Sequence, residues 1–80
     1  MIVERLAEFG IKPGASIRFQ YAKGGTFTER QGEIIAIREA SEVKEKINET
    51  AKMSLYLCIL KTSEGVKSFW EAGMYATEVI

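Results

Sequence analysis

The chain has no histidine, and its eleven acidic residues are all glutamates. Ser-His-Asp and Cys-His arrangements are therefore excluded, and so is any metal site that needs histidine. One cysteine, Cys58, can form neither an internal disulfide nor a thiolate zinc cluster within one chain. It lies in the apolar stretch "LYLCIL" with no cation beside it, which reads as a buried, inert thiol. No apolar run approaches the roughly 20 residues of a membrane helix. The N-terminus "MIVERLAEFG" is interrupted by Glu4 and Glu8, so no targeting segment and a cytoplasmic setting are expected. Neither sign of charge is in excess, with 11 Lys and Arg against 11 acids. There is no repeat and no low-complexity tract. Pairs of glutamates can do acid–base work, but 80 residues rarely enclose a deep, dry cleft. The expectation is a protein without catalytic activity, cofactor or metal.

What is present describes a small β-rich domain. Eighty residues hold one core, so residues 1–80 form a single domain, and association into a homo-oligomer would add to its modest burial. Residues 1–10 read as a short amphipathic helix, with Ile2, Leu6 and Phe9 on one face and Gly10 ending it. Pro13-Gly14 then turns the chain. Strands 1 and 2 occupy residues 15–38. In "SIRFQYA" Ile17, Phe19 and Tyr21 alternate with Arg18 and Gln20, Gly24-Gly25 makes a tight connection, and "GEIIAIR" from Gly32 continues in β-branched residues. Gly32 suggests a bulge or sharp bend.

Residues 39–53 read as an inserted helix. Ala40, Val43, Ile47 and Ala51 form a narrow apolar stripe, Ser41 is the expected N-cap and Lys52 lies near the C-terminus. Residues 54–80 supply strands 3–5: "SLYLCILKT", apolar on both faces, then "VKSFW" after a turn at 63–65, then "ATEVI". The expected fold is mainly β with helices (α+β), a five-stranded antiparallel SH3-like barrel closed or nearly closed on itself. Its expected core is Ile17, Phe19, Tyr21, Ile35, Ile37, Leu55, Leu57 and Ile59.

Two kinds of ligand fit these features. A protein partner would use aromatic anchors, for which Trp70, Tyr75 and Phe27 are the candidates. Trp70 follows Phe69, and neighbours on a strand point to opposite faces, so one of the two faces outward. The charged face of the 39–53 helix is a further docking candidate. The alternative is a nucleotide or single-stranded nucleic acid near Arg18, Lys23, Arg30 and Lys67. Residues 11–38 carry five basic and two acidic side chains, whereas residues 39–80 carry five basic and seven acidic. That local excess is offset by the neutral whole, and phosphate binding needs a basic footprint. The two glycines at 24–25 join extended segments and not a strand to a helix, so they form no phosphate loop.

"IRFQYAKGGTFTER" and "LYLCILKTSEGVKSFW" together resemble the WYL family of SH3-like or Sm-like barrels. The first resembles its opening hairpin and the second its Trp-Tyr-Leu strand, turn and basic-x-Phe-Arg strand. Tyr56 and Leu57 match, with Leu55 in place of the tryptophan. Lys67 and Phe69 match in type, with Trp70 in place of the arginine and no Asp-Arg pair following. The resemblance spans about half of the chain. It implies a regulatory domain that senses nucleotides or single-stranded nucleic acid. "IKPGASIRF" and "GEIIAI" are also similar to small barrel subunits that dock on electron-transfer complexes.

Overall fold

The computed structural model describes residues 8–43 and 49–80. Five antiparallel strands dominate it: β1 (Ser16–Lys23), β2 (Thr26–Glu39), β3 (Tyr56–Thr62), β4 (Gly65–Trp70) and β5 (Met74–Val79). A 3-10 turn at Ala40–Glu42 and a short helix α1 (Glu49–Met53) lie between β2 and β3. A second 3-10 turn, Glu71–Gly73, joins β4 to β5. The sheet order is β4-β3-β2-β1-β5, so β4 and β5 are its two edges. The sheet is open where a closed or nearly closed barrel was expected.

Turn chemistry sets the meander. Gly24 and Gly25 both have positive φ, 59° and 79°, which a two-residue connection of matching twist requires. On the β3–β4 turn the Thr62 hydroxyl accepts from the Glu64 N–H at 3.1 Å and donates to the Gly65 carbonyl at 2.8 Å. The strand expected to begin at Gly32 is the second half of a 14-residue β2. This strand pairs with β1 through residues 26–33 and with β3 through residues 33–39.

The core is one cluster of Ile17, Phe19, Ile34, Cys58, Leu60 and Phe69, with Ile11, Tyr21, Ile37 and Met74 packed against it. Ile17 and Phe19 are where alternation puts them. Ile35 is not: Ile34 pairs with Leu60 and Ala36 with Ile59, so Ile35 is the extra residue of a bulge and is exposed. The inward set therefore steps from Ile34 to Ile37. On β3 the buried residues are Tyr56, Cys58 and Leu60; Leu57 and Ile59 are half-buried on the other face and Leu55 is exposed. A strand apolar on both faces carries no alternation to choose between registers, so its pairing chose.

The inserted helix is shorter than expected. Val43 is extended (φ −94°, ψ 113°) directly after the 3-10 turn, and Glu39, not Ser41, precedes that turn, with no side-chain cap. Ala40 and Ala51 of the expected stripe are buried. Ile47 lies outside the described residues, as does the expected N-terminal helix up to residue 7. Phe9 is exposed, and Gly10 has the positive φ (80°) foreseen for a helix end.

Although open, the sheet curls. The Phe69 ring on β4 meets Phe19 and Tyr21 on β1 edge-on, with centroids 5.1 and 5.0 Å apart, although β3 and β2 lie between those strands in the sheet order.

Candidate ligand cleft

The seam left between β4 and β1 holds a cleft. Tyr21, near the end of β1, points inward and reaches across so that its hydroxyl accepts the Trp70 N–H at 3.2 Å. Gly73 lies against that ring: a Cβ there would come within 2.9 Å of Tyr21 Cε1, so the turn passes because the residue is glycine. The Ser54 hydroxyl donates to the Thr50 carbonyl at 2.6 Å and accepts from the Ala72 N–H at 3.1 Å, and Glu71 accepts from the Leu55 N–H at 3.0 Å. These bonds fix α1 against the second 3-10 turn and set Thr50 at the cleft.

The cleft has a volume of about 460 Å³ and receives Lys23 from β1, Arg30 from β2 and Lys67 from β4. Arg30 places its guanidinium carbon 5.9 Å from the Phe69 ring centroid and donates from Nη1 to Glu64 at 3.3 Å. Its Nε is buried and has no hydrogen-bond partner. Among the described residues, Glu64 is the one carboxylate lining the cleft, opposite three cations. Charge of this kind holds anionic groups.

Three of the four basic residues singled out in the sequence thus share one site. The fourth, Arg18, is on the other face of β1, donating to Glu78 from Nε at 2.9 Å. That hydrogen bond, and then the carboxylate's charge, raise the guanidinium pKa further. The aromatic candidates divide as well. Phe27 and Tyr75 form an exposed edge-on pair at 5.6 Å, also on the outer face. Trp70, at the rim of the cleft, pairs with Leu57 and is half-buried, while its neighbour Phe69 pairs with Cys58 and is buried. Its indole is therefore on the outer face and not in the core.

Tyr21 as the bridge, Thr50 and Glu64 were not foreseen as site residues. Tyr21 alone carried a signal, as the last inward residue of the alternation on β1.

Cys58 is buried beside a smaller pocket lined by Ile11, Glu71, Met74 and Thr77. Burial first, and then the charge of Glu71, push its thiol up to about 11. Among the described residues no three His, Cys, Asp or Glu side chains gather as a metal site, and no helix is long and apolar enough to cross a membrane. Comparison of the chain with protein-family models, with curated proteins and with solved structures finds no match.

Proposed function

We propose that this chain is an SH3-like binding module without catalytic activity, an adaptor that recognises a protein partner at the open seam of its sheet. A four-strand meander whose fifth strand returns to β1 after a 3-10 turn supports the SH3-like reading. The observation that carries the function is the cleft itself, which the edge strand β4 and three cations border. Trp70 beside that edge supplies an apolar anchor, and the Phe27–Tyr75 pair a second contact on the outer face.

The second reading, a WYL-like nucleotide or single-stranded nucleic-acid sensor, is favoured by the convergence of Lys23, Arg30 and Lys67. It lacks a stacking platform. The Tyr21 and Phe69 rings are packed edge-on against each other and against Phe19, and Trp70 faces the other side.

The test is capture of partners from the native cell extract by the full chain, with and without nuclease. One stoichiometric protein that survives nuclease and is lost with Trp70→Ala is expected. Nucleic acid or nucleotide instead, lost with Lys23→Ala and Lys67→Ala together, would establish the second reading. For that ligand log K falls with log salt by about 0.7 per neutralised phosphate, hence a slope of about −2 for three cations.

A further inference from the structure

We infer that the seam takes an extended acidic peptide, which adds as a strand to the free edge of β4. This rests on the protein-partner reading and names the partner's chemistry. The phase of the β3–β4 ladder leads to it. In an antiparallel pair, residues alternate between bonding their partner and turning their N–H and C=O away. The Trp70 N–H turns outward to the Tyr21 hydroxyl, so Ser68 and Val66, two and four residues back, also turn outward. Tyr21 occupies the Trp70 donor. Among the described residues no strand pairs with the outward groups of Ser68 and Val66, because β4 ends the sheet.

Edges left bare are templates for another strand unless a bulge, a proline or a covering segment blunts them. At the other edge β5 is blunted: its register shifts opposite Arg18–Gln20, Ala76 has φ 53°, and Gly10 lies against the Val79 side chain. By contrast β4 keeps an unbroken register from Trp70 to Gly65 and contains no proline.

Charge then selects the occupant. Side chains of an added strand alternate between the cleft, where Lys23, Arg30 and Lys67 outnumber Glu64, and the outer face, where Val66 is 62% exposed and Trp70 half-buried. Acidic residues suit the first set and apolar or aromatic ones the second. The paired length is short, about three to four residues at roughly 3.3 Å each. A second copy of the chain fits poorly, since two-fold pairing of β4 would bring two cationic clefts together.

Fluorescence anisotropy with the full chain tests this, using a labelled Gly-Glu-Val-Glu-Val-Glu-Gly peptide, its lysine counterpart, and versions N-methylated on either alternate set. The glutamate peptide is expected to bind at least about tenfold more tightly than the lysine one. N-methylation of one set alone should cost about tenfold, because only one set faces the edge. The Val66 and Ser68 amides should gain protection from hydrogen exchange, and Lys67→Glu should weaken binding with unchanged melting. Binding indifferent to methylation of either set would overturn strand addition while leaving the protein-partner reading intact. Binding of an eight-residue oligothymidylate with no peptide binding would overturn both. No binding of the glutamate peptide at millimolar concentration, or self-association that β4 mediates, also overturns the proposal.

Discussion

Replacing Gly32 with alanine tests the close approach of β2 to the backbone of β3. In a strand this change ordinarily stabilises, since glycine is worse than alanine by about 0.5–1 kcal/mol. Here the sign should reverse. Gly32 pairs with Ile17 just before β2 begins its pairing with β3 at Glu33 and Lys61. A Cβ at that position would meet the Lys61 carbonyl oxygen at 2.5 Å, with the Lys61 carbonyl carbon and Thr62 Cγ2 at 3.2 Å. The oxygen belongs to a laddered backbone and cannot rotate aside, so β3 must move. Overpacking of this kind costs roughly 1–3 kcal/mol, and the net destabilisation should be about 1–2 kcal/mol. For a chain of this size each kcal/mol is worth roughly 4–8 °C of melting temperature. The assay is thermal and urea unfolding followed by circular dichroism, where the midpoint should fall without a change in the urea dependence. A Gly32→Ala protein as stable as the parent, or more so, would refute the close approach of the two strands.

The other predictions concern packing, backbone and the thiol. Leu60→Ala should cost roughly 2–5 kcal/mol in urea unfolding and half-buried Leu57→Ala clearly less; equal costs would mean that the face assignment of β3 is wrong. Ala76→Gly should stabilise by about 0.5–1 kcal/mol, because left-handed backbone costs a non-glycine residue about 1–2 kcal/mol and glycine's greater freedom offsets part of that; a lower midpoint would contradict the bulge in β5. Tyr21→Phe should lose about 0.5–1.5 kcal/mol by leaving the Trp70 N–H without its acceptor, with faster exchange of that amide as the direct readout. Cys58 should resist thiol reagents in the folded protein. Its folded pKa is raised, so stability is undiminished below the unfolded thiol's pKa and falls as pH rises from near 9 through about 11. A Cys58→Ala protein with the same alkaline decline would trace that decline to another group.

The sequence made legible what alternation and turn chemistry encode. The inward Ile17 and Phe19 and the opposed faces of Phe69 and Trp70 follow from period-two patterning, and the Gly24-Gly25 turn from its residue types. Where patterning is silent the reading slipped. "GEIIAI" gives no sign that Ile35 is the extra residue of a bulge, because all three isoleucines are equally apolar. "SLYLCILKT" is apolar on both faces and is compatible with either register. In the site, Lys23, Arg30 and Lys67 could be chosen by charge, but Arg18 has the same charge and was lost to Glu78, a partner 60 residues away. Pairings at that distance depend on the fold and leave no local trace.

Why the seam stays open follows from what stands in it. Neighbouring strands in a ladder lie about 4.7–4.9 Å apart, a distance that leaves no room for a side chain between them. Tyr21 lies across this gap, with its hydroxyl on the Trp70 N–H and its ring edge-on to Phe69, so a phenol takes the place of one ladder bond and holds the two walls apart. The substitution works at one residue only. Nearer the β3–β4 turn, Arg30 fills part of the width by lying over Phe69 and reaching Glu64, and like-charged Lys23 and Lys67 resist further approach. One side chain thus bridges the seam at Trp70 and leaves the sheet open beyond that point. Val66 and Ser68 are left with backbone groups that a chain bringing its own strand and its own carboxylates can satisfy.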